Sequence, residues 1–224
     1  MAHRSWFPEK LEGDAVILRR HIAANLDAFL RWYSDPEVAR LTRYQDGPMR
    51  AEEIERFFAS RALGPESLSL AIHLRDSNRL IGTCALSQLD HENGSALFHI
   101  TIGEKDTWGR GHGTEATRLL LDHAFGTLSL HRVGLSVFSF NERAIRSYLS
   151  VGFVTEGRAR EAIWRDGRWW DEIHMSVLEP EWRARRWQAR AAAEGRPATG
   201  GGEGVTARGG TEQPAGAPTR GGGG

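Results

Sequence analysis

Cysteine, lysine and tyrosine are scarce in this chain, and neither sign of charge is in excess. A single cysteine excludes an internal disulfide and fits a reducing cytoplasm, the compartment expected for the protein. Basic and acidic residues balance at 29 each, so no overall field draws the chain to nucleic acid or to an anionic membrane. Lys10 and Lys105 are the only lysines, so arginine carries almost all of the positive charge. No apolar run is long enough to span a bilayer, and Met1 to Lys10 lacks the apolar core of a signal peptide. The lone thiol, Cys84, lies in the apolar run Leu80 to Leu86, where nothing nearby in sequence would lower its pKa, and it reads as buried and inert.

Glycine, by contrast, is placed with purpose. It occupies alternate positions in Trp108-Gly109-Arg110-Gly111-His112-Gly113-Thr114. The loop follows a strand-like run, Ala96 to Ile102, and opens a helix-like one in which Ala116, Leu119, Leu120, Ala124 and Leu128 recur at helical spacing. Backbone N–H groups free of side-chain cover at the start of a helix dipole bind phosphate oxygens, which suggests a ligand carrying a pyrophosphate. A Walker loop is excluded, because Gly113 is followed by Thr114 without a lysine. Gly111-x-Gly113-x-x-Ala116 matches a variant dinucleotide fingerprint, but Gly103 to Thr107 separate it from the strand end where that fingerprint begins. On these residues alone, a phosphate loop and a plain turn both stay open.

The next segment narrows the choice. Arg132 to Phe140 is a second strand-like run, and Asn141 after it is a good helix N-cap. Ala144, Ile145, Tyr148 and Leu149 form one apolar stripe, Gly152 supplies a left-handed stop, and Phe153 begins another strand. With these residues in place the chain resembles the GNAT superfamily of acetyl-CoA-dependent N-acetyltransferases, nearest the branch that holds the ribosomal-protein acetyltransferases RimJ and RimL. The resemblance runs from about Leu11 to Leu178. The family signature Arg/Gln-x-x-Gly-x-Gly/Ala falls on Trp108 to Gly113, with Trp108 in place of Arg or Gln. A second signature, Asn-x-x-Ala-x-x-x-Tyr-x-x-x-Gly-Phe, is met at Asn141, Ala144, Tyr148, Gly152 and Phe153.

The resemblance implies an α/β fold: a mixed, mostly antiparallel central sheet with splayed central strands, flanked by helices. It implies acetyl-CoA as co-substrate and no metal. Backbone amides from Arg110, Gly111, His112, Gly113 and Thr114 would hold the phosphates, the strand Ile100, Thr101 and Ile102 would pair with the pantetheine arm, and Asn141 would lie near the cofactor. The acetyl group would pass directly, in a ternary complex, to a primary amine of a small molecule or of a protein N-terminus, with no acetyl-cysteine stage at Cys84. Tyr148 would donate a hydrogen bond to the departing thiolate. Full proton transfer from a phenol near 10 to a thiol near 8.5 is uphill by roughly 2 kcal/mol, so a strong hydrogen bond is the more defensible role. Many family members carry a glutamate where this chain has Leu97, which leaves His99, Glu104 or a water chain as the base. The same Leu97 motivates an alternative, a catalytically idle acyl-CoA-binding regulatory module. Glu52, Glu53 and Glu55 would favour a cationic acceptor, or simply complement a helix dipole. Trp164, Trp169 and Trp170 would line an acceptor pocket, join a homodimer interface, or pack.

Along the chain, Leu11 to Arg20 reads as a strand, and Ala23 to Tyr33 and Met49 to Ala62 as helices, with Pro36, Gly47-Pro48 and Gly64-Pro65 as breaks. Leu68 to Leu74 and Leu80 to Leu86 form a hairpin around Asp76 to Asn78, and Phe153 to Trp164 and Trp169 to Val177 form another around Asp166-Gly167. One domain is expected over residues 1–180, a short Arg/Ala-rich helix over 181–194, and a disordered Gly-rich tail over 195–224. Trp182 and Trp187 are expected to pack against the domain.

Overall fold

In the computed structural model, which describes residues 7–64 and 67–193, the first expected strand is two strands. β1 (Lys10–Glu12) and β2 (Val16–Arg20) pair as a hairpin, closed by the Gly13 N–H donating to the Val16 carbonyl at 2.9 Å. A single 3₁₀ turn at Ala23–Asn25 leads into α1 (Leu26–Tyr33), which buries Phe29, Trp32 and Tyr33. Pro36, read as a break, instead opens a helix, α2 (Pro36–Thr42). Asp35 accepts from the N–H of Glu37 at 2.8 Å and of Val38 at 3.1 Å, and the proline takes the first helical position, where its missing N–H costs nothing. α3 (Ala51–Phe57) is shorter than the helix expected from Met49 and ends in a π-helical turn, Phe58–Ala62.

The rest of the sheet follows in order: β3 (Leu68–Leu74), β4 (Leu80–Asp90), β5 (Ser95–Ile102), then α4 (His112–Gly126), β6 (Arg132–Phe138), α5 (Glu142–Val151), and the hairpin β7 (Val154–Arg165) and β8 (Arg168–Leu178). α6 (Glu179–Ala193) closes the described chain. The eight strands lie in the order β1-β2-β3-β4-β5-β6-β8-β7, and every neighbouring pair is antiparallel except β5 with β6. The mixed, mostly antiparallel sheet expected from the resemblance is therefore present.

The parallel pair decides the shape of the molecule. β5 and β6 are in register only at Ser95 with Arg132, Ala96 with Val133 and Leu97 with Gly134. Beyond Leu97 the two strands part, and the remainder of β5 keeps only β4 as a neighbour. Side chains alternate along these strands. Cys84, Leu86 and Phe98 point into the main core with Leu120 and Leu121 of α4, each side chain of that size contributing about 1.5–3 kcal/mol on burial. Thr83, Ser87, His99 and Thr101 point to the opposite face, where Tyr33 of α1 donates to the Thr101 hydroxyl at 3.2 Å. A second apolar cluster built from Phe29, Trp32, Val38, Ile54 and Phe58 covers that side.

α6 begins two residues before its expected start. Trp182 is buried, donates to Asp122 of α4 at 3.0 Å and lies against Phe125, whereas Trp187 is 60% exposed and does not pack as expected. The compact body ends at Trp187, and the expected tail over 195–224 lies outside the described residues.

Candidate active site

The parting of β5 from β6 opens a cleft of about 1000 Å³. Its wall takes residues from both faces of the sheet: Tyr148 and Gly113 from the α4–α5 side, His99, Ser87 and Tyr33 from the α1 side. A long ligand laid in this gap meets unpaired strand backbone in its middle.

At one end lies the glycine loop. Gly109 and Gly111 hold φ of +74° and +83°, a left-handed conformation that side chains with a Cβ rarely adopt, and the space around both is open. Gly111 is the N-cap of α4 and offers no side chain to cap it. Inside the helix the first backbone bond runs from Glu115 N to Gly111 O, so the N–H groups of His112, Gly113 and Thr114 stay free for a ligand. His112 Nδ1 is likewise buried without a partner among the described residues. An anion fits this set of donors. Thr114 also joins α4 to α5, its hydroxyl lying 2.8 Å from that of Ser147. Ile100, Thr101 and Ile102 line the gap, as does Asn141, whose side chain caps α5 by accepting from Ala144 N at 3.3 Å. Arg110, expected near the phosphates, is exposed and outside the cleft wall.

Another arginine lies where Arg110 does not. Arg143, in the first turn of α5, lines the cleft with its guanidinium 3.9 Å from the centre of the Trp108 ring. Trp108 itself donates to the free carbonyl of Ile102 at 2.7 Å. The tryptophan that breaks the family signature thus plugs the end of the open strand and supports a cation beside the loop. Burial holds the Arg143 pKa below the usual arginine value. Sequence reasoning missed this residue, although its place two positions after Asn141 in the signature helix was a usable signal.

Tyr148 sits midway along the cleft, its ring packed edge-on against Phe98 and Phe153. The hydroxyl makes no hydrogen bond to any described residue, and burial pushes its pKa well above the ordinary phenol value. It is a neutral O–H donor facing the cleft. Cys84 also lines the cleft, and burial raises its pKa, so it stays a thiol rather than a thiolate.

The two candidate bases part company. His99 is in the cleft, its Nε2 2.7 Å from the Ser87 hydroxyl. Burial, and then the charge of Arg61, lower its pKa, so the imidazole is neutral near pH 7. Glu104 is outside the cleft wall and already engaged: it accepts from Trp32 Nε1 at 2.9 Å, Arg79 at 2.9 Å and Arg31 at 3.2 Å. Burial would raise its pKa, but these three donors outweigh it and the net direction is downward. A carboxylate so held ties α1 to the end of β5 and stands away from the cleft wall that carries His99.

The far end of the cleft lies under α1, α3 and the segment between α2 and α3. Of the three helix glutamates only Glu53 reaches the wall, and Arg43 holds it at 2.9 Å. The buried guanidinium of Arg165, at the end of β7, donates to Asp46 at 3.0 Å and to the Arg43 carbonyl at 2.9 Å, fastening that segment to the last hairpin. Trp164 and Trp169 pack on each other with ring centres 5.1 Å apart and stay about half exposed. Trp170 donates to the Arg165 carbonyl at 3.1 Å, and none of the three lines the cleft, contrary to the acceptor-pocket expectation.

A split sheet with free helix-start N–H groups at one end of the gap, and Tyr148 and His99 both on its wall, is an arrangement that can serve acyl transfer. The chain belongs to the GNAT acetyltransferases: the family described as "Acetyltransferase (GNAT) domain" matches residues 15–154. It is an acetyl-CoA-dependent N-acetyltransferase with acetyl-CoA as co-substrate. The uncharacterized N-acetyltransferase p20 of Bacillus licheniformis is 28% identical over 177 residues, covering 78% of this chain and 98% of that one. The spermidine N(1)-acetyltransferase of Vibrio cholerae is 32% identical over 103 residues, 46% of this chain and 59% of that protein. In structure, the spermidine N-acetyltransferase from Vibrio cholerae solved with CoA and spermine superposes with a TM-score of 0.68 over 76% of this chain and 99% of that one; at 22% identity this shows the fold. No helix among the described residues is long and apolar enough to cross a membrane.

Proposed function

We propose that the enzyme acetylates a primary amine, either a protein or peptide N-terminal α-amine or a small-molecule amine, by direct transfer in a ternary complex, and that it belongs to the branch with RimJ and RimL. The observation that carries the reading is the unpartnered Tyr148 hydroxyl facing the same cleft as His99. Acetyl-CoA supplies the acetyl thioester. The glycine loop and Arg143 bind its phosphates, while the open edge of β5 at Ile100 to Ile102 orients its arm. His99 takes the proton that the amine gives up as the new C–N bond forms. Tyr148 donates its O–H to the sulfur as the C–S bond breaks, keeping its own proton because burial holds the pKa high. The Cys84 thiol, neutral and buried, takes no part.

The proton balance favours an α-amine. A peptide α-amine with a pKa near 8 needs only about 1.4 kcal/mol to be neutral at pH 7, whereas a lysine side chain needs about 4.6 kcal/mol. The test is to mix the protein with acetyl-CoA and a panel of peptides, amino acids, polyamines and aminoglycosides, and to follow free thiol. Release of thiol with at least one class is expected. Silence across the panel together with no measurable CoA binding would overturn the reading.

A further inference from the structure

The charges of the cleft are lopsided. Among the described residues four arginines line it, Arg43, Arg61, Arg143 and Arg146, against one acid, Glu53. Two of the four are accounted for by ion pairs, Arg43 with Glu53 and Arg146 with Glu142, at 2.9 and 3.1 Å. Arg143 stands beside the glycine loop, where the co-substrate phosphates supply its anion. Arg61 is left over. It projects from the π-helical turn Phe58–Ala62 at the opposite end of the cleft and makes no ion pair or side-chain hydrogen bond with any described residue. Its charge is felt by His99, the proposed proton acceptor. π-helical turns recur at functional sites. The floor between Arg61 and His99 is hydroxylic: Ser69 lies opposite Ala85, which lies opposite His99, with Ser87 the next residue on that face of β4.

We propose that the acceptor is a small amino carboxylate, a free amino acid or a close analogue, whose carboxylate pairs with Arg61 while its amine lies at His99. This rests on the transferase reading above and names its substrate class. In the reaction the amine nitrogen bonds the acetyl carbon and passes one proton to His99, the C–S bond breaks with its electron pair going to sulfur, and that thiolate takes a proton from solvent. A guanidinium–carboxylate pair in a partly enclosed cleft is a charge-assisted contact, stronger than a neutral one and directional. A polyamine in the same place would set its second ammonium group against Arg61. It would find no acid among the described lining residues except Glu53, already held by Arg43.

The experiment compares kcat/KM for alanine, glutamate and 4-aminobutyrate with their carboxamides and with spermidine, in the wild type, Arg61→Gln and Arg61→Lys, with CoA affinity measured alongside. At least one carboxylate should exceed its amide by about tenfold or more in the wild type. The advantage should vanish in Arg61→Gln through KM, return in large part in Arg61→Lys, and leave CoA affinity unchanged. Equal or better turnover of the amides or of spermidine, or a carboxylate preference that survives Arg61→Gln, overturns the proposal while leaving the transferase reading intact. No thiol release with any of the amines, together with no measurable CoA binding, overturns both.

Discussion

Tyr148 is held by packing and left free at its one polar atom, and that combination makes its role measurable. Phenylalanine keeps the ring against Phe98 and Phe153, and it removes no hydrogen bond to any described residue. Tyr148→Phe should therefore fold as the wild type does, bind CoA with unchanged affinity, and lose about 10²-fold in kcat. A fully active Tyr148→Phe enzyme would make this tyrosine a packing residue. Glu104 shows the opposite case. By type and position it was as good a base as His99, but Trp32, Arg31 and Arg79 approach it from distant parts of the chain, and no local pattern announces them.

Among the elements, the start of α4 carries the clearest signal and invites the sharpest test. Gly111→Asp has room for its side chain, and aspartate is both a good N-cap and one of the residues most tolerant of a left-handed backbone. Folding should survive, while the carboxylate occupies the ground of the phosphates. We expect CoA affinity to fall by at least about tenfold, read by titration calorimetry against the wild type. Unchanged affinity in the folded variant would place the phosphates elsewhere. α2 teaches a different lesson at this scale. Pro36 does not break a helix but starts one, since an N-cap followed by proline is a helix start that the sequence itself carries.

For the molecule as a whole, the buried His21 should weaken stability as the pH falls. His21 is enclosed between the edges of Phe29 and Phe58, with Nε2 3.0 Å from the Thr83 hydroxyl, and burial lowers its pKa to about 4. Between about pH 4 and 6.5 the unfolded chain binds a proton that the folded one does not, so stability rises with pH across that window and is lost as pH falls through it. The gap between 6.5 and about 4 corresponds to about 3 kcal/mol for this group, with His73 and His99 shifted in the same direction. Urea denaturation at pH 7 and pH 4.5 should show the loss, and His21→Gln should reduce it. An identical loss in the variant would clear His21 of the effect.

By itself the sequence determined what is encoded over a few residues: the glycine loop and the helix it opens, the Asn141 cap and Gly152 stop around Tyr148, and the Asp166-Gly167 hairpin, where both residues adopt positive φ. Each depends on a conformational preference or a spacing that one segment carries alone. Only the tertiary structure decided which strands part after Leu97, that Ser87 holds His99, that Arg143 stands over Trp108, and that Arg61 lines the cleft with no ion pair to any described residue. Those contacts join residues that are not neighbours in sequence, and the sheet register and the packing of α1, α3 and α5 fix them; a local pattern carries no record of either.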